Sequence, residues 1–295
     1  MDISDYYTRA YESYRENLNI VVPSVLGTVL TFILVVIGVL IVLFGVFGTE
    51  FLESLVSSSQ NISADFIQSS AFASKMLFAV VIFIIIALIA AIIDSFIYAS
   101  TVGLSKQIIM NGRSDLNYGW ENGKKYLLRI FLVRIIISLA YIVLFGVLML
   151  GLLFLRAFAS GMLGFSIFIL GGIIIFILAI LLSLIFMVVH QSIVISEKSV
   201  LESIKDSYQL FLENKMQVFL VALINFVISV SVSIVLGLIP YVGSFLNMIV
   251  SMLLLPYFVL VLSFLYVDLK GFAVEEPSDA YPSDQHSSEI TENSN

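Results

Sequence analysis

The chain is 295 residues long, 60% hydrophobic and 12% charged, where a water-soluble domain carries about 25% charged residues, so it cannot cover itself with polar surface. It has no cysteine, which excludes disulfides, thiolate metal centres and thiol nucleophiles, and only two histidines, His190 and His286, so no histidine metal site is expected. The net charge of −7 is concentrated in residues 271–295, where Glu275, Glu276, Asp279, Asp284, Glu289 and Glu292 meet no Lys or Arg; the remainder is nearly neutral and offers no basic surface for nucleic acid.

Residues 1–19 are polar, and Tyr7, Tyr11, Tyr14 and Leu18 recur at helical spacing opposite Arg9, Glu12 and Glu16, which predicts an interfacial helix. Six apolar stretches follow at about 20–47, 76–104, 128–155, 165–190, 216–238 and 244–267, each long enough to cross roughly 30 Å of hydrocarbon as a helix. The first is too long for a signal-peptide core and no small-residue cleavage site follows it, so it is expected to stay. The predicted fold class is an all-α membrane protein: a 1–19 interfacial helix, a 20–270 six-helix transmembrane domain, and a 271–295 disordered acidic tail.

Twelve of the fourteen Lys and Arg fall on one side of these spans and only Lys75 and Arg156 on the other, which predicts cytoplasmic N- and C-termini in a cell (plasma) membrane. The segment Gly48–Ser74 is then outside, where Asn61-Ile62-Ser63 forms a glycosylation sequon. Between the fourth and fifth spans, Ser199 and Glu202 make a capping-box pattern. Val200, Ile204, Tyr208 and Phe211 then form an apolar stripe against Glu202, Lys205, Asp206 and Gln209. Leu116, Trp120 and Leu127, with Gly123 between them, give a weaker version before the third span. Each of these three segments precedes an outward-going span and carries an aromatic followed by Glu-Asn: Tyr14 with Glu16-Asn17, Trp120 with Glu121-Asn122, and Tyr208 with Glu213-Asn214. The pattern predicts a threefold repeat of interfacial helix plus transmembrane hairpin.

Asp94 is the charge that stands out, because a carboxylate within a span costs a few kcal/mol and is retained for a reason. Counted inward from Lys75 it lies about 28 Å along the helix, near the cytoplasmic edge of the hydrocarbon. Around it Ala87, Ala91, Ser95, Ala99 and Gly103 recur every fourth residue, a seam that lets two membrane helices approach closely. Arg134, at the start of the uncharged part of the third span, is the expected ion-pair partner; His190 ends the fourth span at the same depth, and Asn225 lies within the fifth. These four form the candidate intramembrane polar cluster. Ser229, Ser231 and Ser233 are expected to hydrogen-bond between helices, and Pro256 to loosen the sixth.

No Gly-rich phosphate loop, metalloprotease helix or serine triad spacing is present, and no span carries a ladder of Arg, so catalytic residues, cofactors, metals and voltage sensing are not expected. Three stretches carry a resemblance: Gly112-Arg113 with Gly123; Ile193-Val194-Ile195-Ser196-Glu197 with Ser207-Tyr208; and Leu265-Tyr266-Val267-Asp268-Leu269. Through them, residues 1–270 resemble a group of six-span prokaryotic, often archaeal, membrane proteins related to the membrane domain of glycerophosphodiester phosphodiesterases. The resemblance implies the six-span fold; the phosphodiesterase domain is absent, so no hydrolase activity is carried over. The expected function is non-catalytic handling of a lipid or small solute from the cytoplasmic leaflet, in a cavity between the second, third and fifth spans, with membrane lipids as partners. The alternative is a membrane scaffold recruiting protein partners through its cytoplasmic helices and tail.

Overall fold

A computed structural model describes residues 2–48, 70–158, 162–240 and 242–272, all organised as helices and short turns. In chain order these are α1 (Ile3–Glu16), a 3-10 turn (Leu18–Ile20), α2 (Val21–Leu40) with its last turns widened to π geometry (Ile41–Phe47), α3 (Ser70–Asn111) and α4 (Leu116–Phe158). Then come α5 (Met162–Ile185), α6 (Val189–Val194), α7 (Val200–Glu213), α8 (Lys215–Gly237) and α9 (Gly243–Leu269). Six stretches among the described residues are long and apolar enough to cross a membrane: Leu18–Phe47, Phe72–Asn111, Leu116–Leu155, Phe165–Val194, Lys215–Gly237 and Gly243–Leu269. The fold is an all-α multi-pass membrane bundle. The Asn61 sequon and the acidic tail beyond Phe272 lie outside the described residues.

The spans run on beyond their apolar cores. The helix α3, of 42 residues, is about 63 Å long, twice a hydrocarbon layer. The segment before the third span is not a separate interfacial helix: Leu116, Trp120 and Gly123 belong to the first turns of α4, an unbroken helix of 43 residues. No proline interrupts it, and Gly119 and Gly123 in its first turns, with Gly103 of α3, make close contacts between the two helices. A Cβ on Gly103 would come within 2.6 Å of Asn122 Cβ, one on Gly119 within 2.8 Å of Leu104, and one on Gly123 within 2.3 Å of Ser100 Oγ. Small residues on both helices therefore set the α3–α4 contact. Of the predicted seam, Ser95, Ala99 and Gly103 are buried, Ala91 is half-buried and Ala87 is exposed.

The threefold repeat has a local counterpart in the three Glu-Asn pairs. Asn17, Asn122 and Asn214 each donate a side-chain N–H to the carbonyl four residues earlier, on Ser13, Tyr118 and Leu210. Asn17 and Asn214 also close helices of 14 residues that each start with a capping box, at φ −126° in both cases. In the middle unit the same Asn sits inside α4, so cap and hairpin are fused.

The close-packed core lies at the end of the bundle where α3 stops, α4 starts and α1, α6, α7 and the end of α9 gather; it also holds most of the Lys and Arg, and we call it the basic end. Every residue of α9 from Val259 to Val267 is buried there. The helix α1 meets the core with only part of the face its spacing predicts. Tyr6 and Ala10 are its buried residues, Tyr7 and Tyr14 pack against the core, and Tyr11 and Leu18 are exposed. Pro256 cannot donate to the carbonyl of Met252, and Ser24 Oγ does so instead at 2.9 Å, while Tyr14 Oη donates to the next carbonyl, Leu253, at 3.0 Å. The helix α9 thus keeps its proline because α1 and α2 satisfy the backbone there.

Candidate functional site

Three of the four candidate polar residues share one place. Arg134 Nη1 lies 3.6 Å from Asp94 Oδ2, its guanidinium sits over the Tyr98 ring at 5.4 Å, and that ring is 4.6 Å from the imidazole of His190. Helix α3 supplies Asp94 and Tyr98 one turn apart, α4 supplies Arg134, and His190 arrives on α6 after α5 ends at Ile185 and the chain turns through Phe186–Val188. The apolar stretch expected to end at about residue 190 runs to Val194, with the turn at Phe186–Val188 inside it. Asn225 has another role: its Oδ1 accepts from Tyr7 Oη at 3.0 Å, joining α8 to α1. Asp94 itself is half exposed, with 53% of its side chain open.

Tyr98 also forms one wall of a pocket of about 340 Å³ between α3, α8 and α9, the second, fifth and sixth spans, rather than the second, third and fifth. Ser229 and Ser233 line it from α8, Asn247 and Ser251 from α9, and Leu254, Leu255 and Phe258 supply apolar surface. The serines and the asparagine recur at four-residue spacing along two facing helices, so each helix presents a polar row to the pocket. The hydroxyl of Ser229 bonds to the Asn225 carbonyl of its own helix at 2.8 Å, not to a neighbouring helix. The lining carries no charged side chain. It can donate and accept hydrogen bonds to an uncharged polar group inside an apolar surround.

A second polar centre was not foreseen. Asp206 of α7 is 3% exposed, and its carboxylate receives Lys198 Nζ at 2.6 Å, Lys270 Nζ, Ser192 Oγ at 2.7 Å and Tyr266 Oη at 2.9 Å. Burial by itself would raise this carboxyl, but the hydrogen bonds from Lys198, Lys270, Ser192 and Tyr266 outweigh it and hold the group at about 2. The sequence reading placed Asp206 on the solvent face of α7. The structure keeps Val200 and Ile204 against the core and Glu202, Lys205 and Gln209 outside, but it exchanges two residues of the expected faces: Asp206 turns inward with Ser203, Ser207 and Leu210, and Tyr208 is exposed. Ser207 Oγ donates to the Ile185 carbonyl left open at the end of α5, at 2.6 Å. The signal was present as a polar row at Ser203, Asp206 and Ser207, which has the spacing of one helix face.

The loop between α6 and α7 is held by a second carboxylate. Glu197, in the left-handed region at φ 57°, takes Lys125 Nζ at 3.0 Å and Lys106 Nζ at 3.4 Å, and Arg129 Nη1 donates to its carbonyl at 3.1 Å. Lys125 first, then Tyr126, lower the Glu197 carboxyl to about 2. Among the described residues no group of three or more His, Asp or Glu is placed to hold a metal ion. Compared with protein families, with characterised proteins and with solved structures, the chain matches none of them.

Proposed function

We propose that the protein is a non-catalytic component of the plasma membrane, with both termini cytoplasmic, that handles a small solute or the polar part of a lipid reached from the cytoplasmic side. What carries this reading is the pocket between α3, α8 and α9: hydroxyl and amide groups of Ser229, Ser233, Asn247 and Ser251 facing a space of about 340 Å³ within stretches apolar enough to span a membrane. Polar side chains at such a position are retained where they meet water, a ligand or one another. Tyr98 connects the pocket to Arg134 and His190, which the charge arithmetic of the sequence sets at the cytoplasmic boundary. The resemblance to the membrane domain of glycerophosphodiester phosphodiesterases belongs to the same proposal and supplies no chemistry of its own.

Because the chain has no cysteine, single cysteines can be introduced without background. Ser233→Cys and Ser251→Cys should react with a membrane-impermeant thiol reagent added from the cytoplasmic side. Phe226→Cys, on the outward face of α8 and 63% exposed where lipid would lie, should stay protected. Equal protection at all three positions would overturn the reading.

A further inference from the structure

A larger pocket, of about 590 Å³, opens at the basic end, remote in sequence from the hydroxyl-lined one on α8. Among the described residues its walls are Ile109 and Met110 from the end of α3, Ile195 from the α6–α7 loop, Val267 near the end of α9 and Phe272 just past it, with Asn111 and one charged side chain, Lys106. Its size is that of a small-molecule site.

The walls are held in place by helix ends. Gly271, at φ 66°, stops α9; the Phe272 N–H turns back to the Val267 carbonyl at 3.1 Å and the Gly271 N–H to Asp268 at 2.9 Å. This left-handed cap brings Phe272 to the pocket wall. Gly112, at φ 71°, ends α3 in the same manner, with its N–H on the Ile108 carbonyl at 2.8 Å.

Lys106 is under-served where it stands. Its side chain is only 14% exposed, and its ammonium reaches Glu197 Oε1 at 3.4 Å and the Val194 carbonyl at 3.5 Å, both long for a charge-assisted bond, while Glu197 holds Lys125 more closely at 3.0 Å. An ammonium has three donors to place. Positive groups gather around it: among the described residues Lys106, Lys125 and Arg129 converge on Glu197, and Lys198 and Lys270 on Asp206.

We propose that this pocket binds an amphiphile with one anionic head group, phosphate or carboxylate, the head meeting Lys106 and the apolar body lying against Ile109, Met110, Ile195, Val267 and Phe272. A mostly apolar pocket with one largely enclosed cation disfavours a fully polar anion, which would lose hydration against the walls, and a cationic amphiphile, by like charge. The chemistry is shared by a lipid of the adjoining leaflet and by a water-borne amphiphile.

The full-length chain in neutral detergent is titrated with dodecyl phosphate and with dodecyltrimethylammonium, binding being read from the thermal unfolding temperature and by native mass spectrometry. Dodecyl phosphate should bind about tenfold or more tightly than the ammonium compound. Lys106→Met should abolish that preference and Lys106→Arg should keep it. Ile195→Trp, which fills the chamber and leaves every charge in place, should weaken dodecyl phosphate by about tenfold, so the result does not depend on Lys106→Met folding well. In nanodiscs of phosphatidylglycerol, one retained lipid that dodecyl phosphate displaces identifies the leaflet as the source; dodecyl phosphate binding with no retained lipid identifies a water-borne ligand. Equal affinity for the two head groups, or unchanged binding in both Lys106→Met and Ile195→Trp, would overturn the proposal. Thiol labelling at residues 233 and 251 is unaffected by either outcome, so this site and the α8–α9 pocket fail separately.

Discussion

The two ends of α4 are the same helix in two different environments. From Leu116 to Val133 it is clamped: Gly119 and Gly123 press on α3, and Tyr126, Ile130 and Val133 are buried. From Tyr141 to Leu155 it is loosely held: Gly146 and Gly151 have nothing within 4 Å of a built Cβ, and Ile142, Val147, Leu150 and Phe154 are each more than half exposed. Burying leucine against leucine gains little when the alternative is lipid tail, so a membrane stretch associates through small-residue contacts and polar bonds or not at all. At the basic end water makes burial favourable again, and there the chain gathers α1, α6, α7 and α9 around one core. The architecture is a well-packed base carrying a looser set of spans.

The largest test of that comparison is to break the base. Asp206 neutralises Lys198 and Lys270 in a site that is 3% exposed, so Asp206→Ala leaves two ammonium groups facing each other and should cost about 2–4 kcal/mol, read as a lowered unfolding temperature in detergent. The carboxyl is held at about 2 in the fold, against roughly 3.9 when unfolded. Since the folded value is the lower, its stabilisation is complete above about pH 4 and is lost as the pH falls towards 2. Glu197 is also lowered to about 2, so wild type alone cannot separate the two groups. The difference between wild type and Asp206→Asn should shrink over that interval. A constant difference would mean that the carboxylate is not the keystone of the base.

One substitution made in both environments tests the contrast next. A methyl group on Gly103 would meet Asn122 Cβ at 2.6 Å and Cγ at 2.9 Å, atoms close to the α4 backbone that cannot swing aside. Gly103→Ala should therefore cost about 1–3 kcal/mol. Gly146→Ala adds its methyl to open space and should be neutral or stabilise by up to about 1 kcal/mol through helix propensity. Thermal unfolding of the two variants side by side checks this; equal effects would dissolve the distinction between clamped and loose halves.

How much of this could be read from the sequence follows from the same contrast. The six spans were legible because hydrocarbon admits little but long apolar helices, and the Glu-Asn pairs were legible because Asn17, Asn122 and Asn214 do the same local job. The faces of α1 and α7 were legible only in part: Tyr7, Tyr14, Val200 and Ile204 meet the core as their spacing predicts. Amphipathic reasoning turns polar residues outward, whereas Asp206, Ser203 and Ser207 are buried and Tyr11 and Tyr208 face out. That inversion depends on Lys198, Lys270 and Tyr266 arriving from elsewhere in the chain, which local periodicity cannot show. The hydroxyl pocket was half legible: Ser229 and Ser233 were noticed as a row, but the facing row of Asn247 and Ser251 acquires meaning only when α8 and α9 are set side by side.

The smallest expected effect lies on the border between the two halves, at Asp94 and Arg134. The seam residues change there from half-buried Ala91 to buried Ser95, and the pair spans 3.6 Å with side chains 53% and 28% exposed. An ion pair that open, if bathed in water, contributes about 0.2–1 kcal/mol and weakens as salt is added. In hydrocarbon, neutralising one partner would strand the other charge at a cost of about 2.5–3.5 kcal/mol. A double-mutant cycle of Asp94→Asn and Arg134→Gln should give the smaller figure and lose most of it at high ionic strength, and the charge reversal of both residues should recover the stability lost by either reversal alone. Coupling of several kcal/mol, insensitive to salt, would move the boundary of the base past Asp94 and place the polar group of Arg134, Tyr98 and His190 inside the membrane proper. The salt response, more than the size of the coupling, decides where the water stops, because the Tyr98 ring over Arg134 contributes in both cases.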